Sequence, residues 1–137
     1  MPGYSQRSLT EKLGIPAGKR LVVRNEPRPY PSLVGELPPG SVLTPRLTKN
    51  SAFIHQFTSR ASELRADFPR LAEALTDDGM LWVSWPKRAS GVATDLNENI
   101  VRELGLAQGL VDVKVCAVDE VWSGLKFVRR LTNRKSR

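Results

Sequence analysis

The chain has 137 residues, a net charge of +7, one cysteine (Cys116) and one histidine (His55). That length suits one domain with its own core, while a single Cys and a single His exclude an internal disulfide and a zinc site of the usual ligands. No run approaches the ~20 apolar residues of a membrane span, and residues 1–14 lack the apolar stretch of a signal peptide, so the cytoplasm is the expected compartment.

The charge is unevenly placed. Lys126, Arg129, Arg130, Arg134, Lys135 and Arg137 fall within the last twelve residues, where no acid occurs, leaving +1 for residues 1–125. This describes a basic tail, 131–137, behind a domain over 1–130, rather than a basic face. Such a tail solubilises a chain end or holds nucleic-acid phosphates in a salt-dependent way.

In chain order, Ser8-Leu9-Thr10-Glu11 has the spacing of a capping box and predicts a short helix through Leu13, stopped at Gly14. Arg20-Leu21-Val22-Val23-Arg24 reads as a short buried strand. Pro27, Pro29 and Pro31 stiffen the next stretch; 32–37 allows one or two helical turns before Pro38-Pro39-Gly40. Segment 41–47 has weak strand character, and Pro45 assigns it to an edge. Segment 52–57, containing His55, is a better strand. A parallel crossover between the two needs a dozen or more residues and only 48–51 intervene, so they pair antiparallel or the first is very short.

Ala61, Leu64, Phe68, Leu71, Ala72 and Leu75 recur at helical spacing behind a cap at Thr58 or Ser59. Pro69 predicts a kink or two abutting helices. Asp77-Asp78-Gly79 turns the chain into 80–85, a nearly continuous apolar run covered on both faces. Trp82 and Trp85 there point to opposite faces. After loop 86–93, Thr94-Asp95 starts a helix with Leu96, Ile100 and Leu104 on one side and Gly105 and Gly109 near its end. Val111, Val113, Val115 and Ala117 alternate along a strand, and 119–124 turns it into a short antiparallel strand, 125–128. The succession predicts an α/β, Rossmann-like three-layer sandwich, mostly parallel, with a C-terminal antiparallel hairpin.

The succession from Asp77-Asp78-Gly79-Met80-Leu81-Trp82-Val83 through a helix to a closing hairpin resembles, in layout, the C-terminal half of class I S-adenosylmethionine-dependent methyltransferases. Leu81-Trp82-Val83-Ser84-Trp85-Pro86-Lys87-Arg88-Ala89-Ser90-Gly91 is a more specific segment. So are Val113-Lys114-Val115-Cys116-Ala117-Val118-Asp119-Glu120 and Trp122-Ser123-Gly124-Leu125-Lys126. These resemble a bacterial family of small proteins known only as a domain of unknown function, which implies a methyltransferase-like fold and brings no activity with it.

The methyltransferase resemblance implies a glycine-rich turn after the first strand and an acid at the end of the second. Arg24-Asn25-Glu26-Pro27-Arg28-Pro29-Tyr30 contains no glycine, and Thr44-Pro45-Arg46-Leu47-Thr48 contains no acid. With both parts missing, no cofactor is expected, S-adenosylmethionine included, and no catalytic residue or metal ligand is assigned. There is no nucleophile elbow and no phosphate loop. His55 reads as a hydrogen-bonded structural residue, Cys116 as an inert strand residue, and Asp119-Glu120 as turn residues.

Open α/β sheets bind ligands beyond the carboxyl ends of their parallel strands. Lys87, Arg88, Ser90, Gly91 and Thr94 fall there, combining two cations, a hydroxyl, unobstructed backbone and an expected helix start in a candidate anion site. Trp85, Trp122 and Asp119 are candidates for the cleft beside it. The sequence thus suggests a non-catalytic module binding a small anionic ligand or a protein partner. A divergent S-adenosylmethionine-dependent transferase and nucleic-acid binding through the basic tail are the alternatives. No membrane partner is expected. Oligomeric state is left open, Pro45 and Arg46 having the character of edge protection.

Overall fold

The computed structural model describes residues 8–130. Ser8 Oγ accepts from the Glu11 N–H at 3.2 Å and Gly14 closes the turn at φ 73°, so α1 is Leu9–Leu13, as the capping box predicts. After β1 (Arg20–Arg24), α2 spans Tyr30–Val34. It starts earlier than expected because Pro31 fits the first helical turn, where a missing N–H loses no bond. Then come β2 (Val42–Thr44), β3 (Ser51–Phe57), α3 (Ala61–Ala74) and β4 (Leu75–Pro86). A 3₁₀ turn (Arg88–Ser90), α4 (Glu98–Ala107), β5 (Leu110–Ala117) and β6 (Trp122–Arg129) complete the order.

The six strands form one sheet in the order β2-β1-β3-β4-β6-β5. The first four run parallel, and β6 lies antiparallel to both β4 and β5, giving the expected α/β sheet with its C-terminal hairpin. Of the two expected arrangements the second occurs: β2 is only three residues long, and it does not pair with β3 because β1 lies between them. Crossing one strand takes about 10 Å, which residues 45–50 span because β2 is so short. No helix fits in this connection. Leu47 alone packs under the sheet there, and Val42 and Leu43 stay exposed.

Two apolar layers close the sheet. Leu21, Val23, Phe53, Phe57 and Trp82 meet α1 and α2 on one face; Val22, Ile54, Leu81, Val83, Trp85 and Phe127 meet α3 and α4 on the other. The two tryptophans therefore take opposite faces, as their spacing predicts. Helix α3 runs unbroken through the exposed Pro69. Its first N–H groups are satisfied unexpectedly: neither Thr58 nor Ser59 is the N-cap, and Asp95 Oδ1 accepts from the Ala61 N–H at 2.7 Å. With Asp95 so engaged, α4 starts at Glu98 rather than near Thr94, capped by Asn97, whose Oδ1 accepts from the Ile100 N–H at 2.9 Å. At the other end of α3, Arg129 Nη2 donates to the carbonyls of Ala72 and Leu75, both at 2.7 Å.

Where a turn is expected at Asp77–Gly79, β4 instead bulges. Leu75 stands opposite Ser51 and Met80 opposite Phe53, so the longer strand loops outward between them. Gly105 lies in the last turn of α4, near its end as expected. A Cβ there would come 2.2 Å from a Phe127 ring carbon, so the glycine is what lets α4 approach β6. The alternation of Val111, Val113, Val115 and Ala117 is present but faces outward, Val113 and Val115 being 55% and 49% exposed. The reason is position: β5 is the sheet edge, and its register with β6 shifts at a bulge between Asp112 and Lys114. Among the described residues no helix is long and apolar enough to cross a membrane.

Candidate functional site

Chain direction creates a crevice. From β1 the chain leaves toward the α1–α2 layer, and from the neighbouring β3 toward the α3–α4 layer. Parallel strands whose connections diverge to opposite faces leave a gap beyond their carboxyl ends. Here it measures about 440 Å³. Asn25 stands on the β1 side, Phe57 and Thr58 on the β3 side, Glu63 and Asp67 on α3, and Trp122 at the start of β6.

Asn25 adopts φ 61°, a left-handed conformation that asparagine tolerates better than most residues. The chain therefore turns after β1 without the glycine that the sequence lacks. On α3, Asp67 is held by Gln56 Nε2 and by Arg70 Nη2, both at 2.8 Å, while Gln56 Oε1 is buried with no partner among the described residues. Glu63, on the same helix face, makes no hydrogen bond or ion pair among the described residues. Trp122 meets Phe57 edge-on with ring centroids 5.3 Å apart.

His55 supports this wall from behind. Its ring stacks on Phe57 at 4.3 Å; Nδ1 lies 2.7 Å from the Tyr30 hydroxyl and Nε2 lies 2.8 Å from Ser84 Oγ. Burial pushes the imidazole pKa down to about 3 and raises that of the Tyr30 phenol. A neutral ring offers one donor and one acceptor, so one hydroxyl gives the ring a proton and the other takes one. The histidine is a structural residue, as expected.

The candidate anion residues are divided between one cleft and bonds to backbone carbonyls. Lys87 Nζ reaches across to the Asp119 carbonyl at 2.8 Å. Ser90 Oγ donates to the Lys87 carbonyl at 2.7 Å, and Thr94 Oγ1 donates to the Ser59 carbonyl at 2.7 Å. Arg88, Gly91 and Thr94 share a smaller cleft of about 290 Å³ with Asp95, whose carboxylate stands where a helix start was expected. Of the cleft candidates, Trp122 lines the crevice. Trp85 is buried in the core beneath α3 and α4, which correct its placement in a cleft. Asp119 organises the β5–β6 turn: Oδ1 accepts from the Val121 and Trp122 N–H groups, and Oδ2 pairs with Arg28 at 3.2 Å. Glu120 is exposed. Of the tail cations, Arg129 belongs to the α3 cap, and 131–137 lie outside the described residues.

Asn25, Glu63 and Asp67 were not singled out by the sequence. Their signal was available: carboxylates four apart in the first turns of the helix following β3, and an asparagine in place of a turn glycine.

No protein-family model matches the chain, and no curated protein sequence does. Solved structures do. Magnesium protoporphyrin IX methyltransferase from Synechocystis PCC 6803 with bound SAH (S-adenosylhomocysteine) aligns at 16% identity over 66% of this chain and 51% of its own, with a TM-score of 0.52. A TehB-like SAM-dependent methyltransferase from Corynebacterium glutamicum aligns at 11% identity over 88% of this chain and 85% of its own, with a TM-score of 0.55. LepI in complex with SAM (S-adenosylmethionine) aligns at 14% identity over 89% of this chain and 39% of its own, with a TM-score of 0.55. The chain thus spans about half the length of the protoporphyrin methyltransferase it matches. These likenesses show the fold, a methyltransferase-like Rossmann sheet.

They also overturn the expectation of no cofactor, since structures that share this sheet hold SAM or SAH. The physical reason lies in the two parts read as missing. Asn25 makes the turn without glycine, and carboxylates enter the crevice from α3 although none follows β2. A carboxylate without a partner among the described residues, aromatic rings and a side-chain amide around 440 Å³ fit a nucleoside that carries a cationic centre.

Proposed function

We propose that this chain is a divergent S-adenosylmethionine-dependent transferase, with its cofactor held in the crevice between the carboxyl ends of β1 and β3. The observation that carries the reading is Glu63, a carboxylate without a partner among the described residues, beside Asp67 and the Phe57–Trp122 pair at the switch point of a methyltransferase-like sheet. S-adenosylmethionine, when bound, supplies an electrophilic methyl group on a sulfonium. The chain's own residues bind and orient. Glu63 offers negative charge to a cationic centre, Asp67 accepts from hydroxyls while Gln56 and Arg70 hold it in place, and Asn25 contributes an amide. Phe57 and Trp122 give a flat ring an apolar wall. The kinship with a small bacterial family, carried by 81–91 and 113–126, belongs to the same reading.

Calorimetry tests it. The expected outcome is one-to-one binding of S-adenosylmethionine or S-adenosylhomocysteine, with Glu63→Gln weakening the sulfonium form about tenfold, the scale of one charge-assisted contact. Because Glu63 has no partner among the described residues, thermal stability should not change. Absence of binding for both compounds overturns the proposal.

A further inference from the structure

The six-residue crossing from β2 to β3 leaves a second cavity beside the crevice. It measures about 360 Å³ and is lined by Arg24, Leu47, Lys49, Arg70, Glu73 and Ala74. The two cavities adjoin twice. Arg24 and Asn25 are consecutive at the end of β1, and Arg70 in one donates to Asp67 in the other at 2.8 Å. Along α3, residues 63, 67, 70 and 74 follow one helix face, the first two at the crevice and the last two at the second cavity.

The second cavity has the opposite electrostatic character from the first. Arg24 and Lys49 make no hydrogen bond or ion pair among the described residues. Arg70 commits only Nη2 to Asp67, leaving its other guanidinium nitrogens available. Three cations and the one carboxylate of Glu73 line it, an excess of +2. A phosphomonoester carries about −2 near neutral pH and offers oxygens that guanidinium forks and an ammonium can share.

We infer that the Arg24–Lys49–Arg70 cavity is the anchor for the phosphate group of a small phosphorylated substrate, whose other end lies toward Asn25 and the crevice. The inference rests on the transferase reading for what that substrate does, and not for whether phosphate binds.

Amide NMR with pyrophosphate, in the absence of S-adenosylmethionine, provides the test. Resonances of Arg24, Lys49 and Arg70 should shift and saturate. Arg24→Gln combined with Lys49→Gln should weaken binding at least tenfold. Arg65→Gln, an exposed cation on α3 that lines neither cavity, should leave binding unchanged. Glu73→Gln should tighten it about threefold by removing a like charge, a gain that misfolding cannot produce. No saturation, an equal loss in Arg65→Gln, or no gain in Glu73→Gln would overturn the inference. The source of the phosphate is separated by comparing thymidine monophosphate with oligothymidylates. Affinity independent of strand length supports a small-molecule anchor, and affinity that climbs with length refutes it in favour of a nucleic-acid track. S-adenosylmethionine binding without a phosphate response would overturn this inference alone. A phosphate response without S-adenosylmethionine binding would leave the anchor standing and remove the transferase.

Discussion

The two faces of the sheet are held by different physics. On one, α3 and α4 lay apolar surface directly on strands, closely enough that Gly105 admits the Phe127 ring where any Cβ would collide. On the other, α1 and α2 are five residues each, too short to bury much, and directed polar bonds reinforce them. Tyr30 is tied through His55 to Ser84, Trp82 Nε1 donates to the Leu13 carbonyl at 2.8 Å, and Lys114 Nζ donates to the Lys12 carbonyl at 2.6 Å. The apolar face should respond to volume and the polar face to the loss of one partner among several.

The largest effect is expected at the polar face. His55→Leu strands the hydroxyls of Tyr30 and Ser84 in the core and should cost about 4 kcal/mol in denaturant unfolding. The comparison is sharpened by the combined Tyr30→Phe, His55→Leu, Ser84→Ala protein, which removes every stranded group and should be more stable than His55→Leu alone. If the triple variant is the worse of the two, the polar chain is not a unit.

Acid comes next. His55 stays neutral in the folded state down to about pH 3, whereas the unfolded chain takes up a proton below about 6.5. The unfolded state therefore binds more protons in that window, and His55's contribution, complete above pH 6.5, is lost as the pH falls toward 3. The unfolding equilibrium constant should rise by up to about tenfold per pH unit from this residue. A His55→Gln protein with an equally steep profile would remove the assignment.

At the apolar face, Gly105→Ala should cost about 2 kcal/mol through overpacking, and Phe127→Leu in the same chain should recover part of it. A smaller loss, about 1 kcal/mol, is expected for Asp95→Ala, which uncaps α3 from a distance. Hydrogen exchange at the Ala61 amide would report it. Asn25→Gly should change stability least, by a few tenths of a kcal/mol, since both residues accept the left-handed turn.

What was legible in the sequence was local. Ser8 with Glu11, the apolar spacing of α3, the run of β4 and the opposed tryptophans all depend on neighbours within a few residues. What was not legible depended on a distant partner. Thr94, Asp95 and Asn97 are comparably good helix caps, and only the approach of Ala61 decides that Asp95 serves another helix. The valines of β5 alternate as a buried strand would, yet burial requires a layer above them, and Val113 and Val115 of this edge strand are left exposed. The order of β2, β1 and β3 was hidden because the partner of both flanking strands precedes them in the chain. The crevice carboxylates escaped notice because they sit on the side of α3 that the apolar pattern assigns to solvent. In loop 87–94, Lys87, Ser90 and Thr94 turn to backbone carbonyls, while Arg88 lines the smaller cleft with Gly91 and Thr94.

The position of β6 bears on how the protein is made. As the last described strand it enters between β4 and β5, and its Arg129 closes the end of α3. A ribosome that has released everything up to residue 121 has therefore produced a β5 with no strand beside it and an α3 with open carbonyls. Residues 122–129 convert both at once. A stall or truncation there should leave a chain lacking not one strand but two.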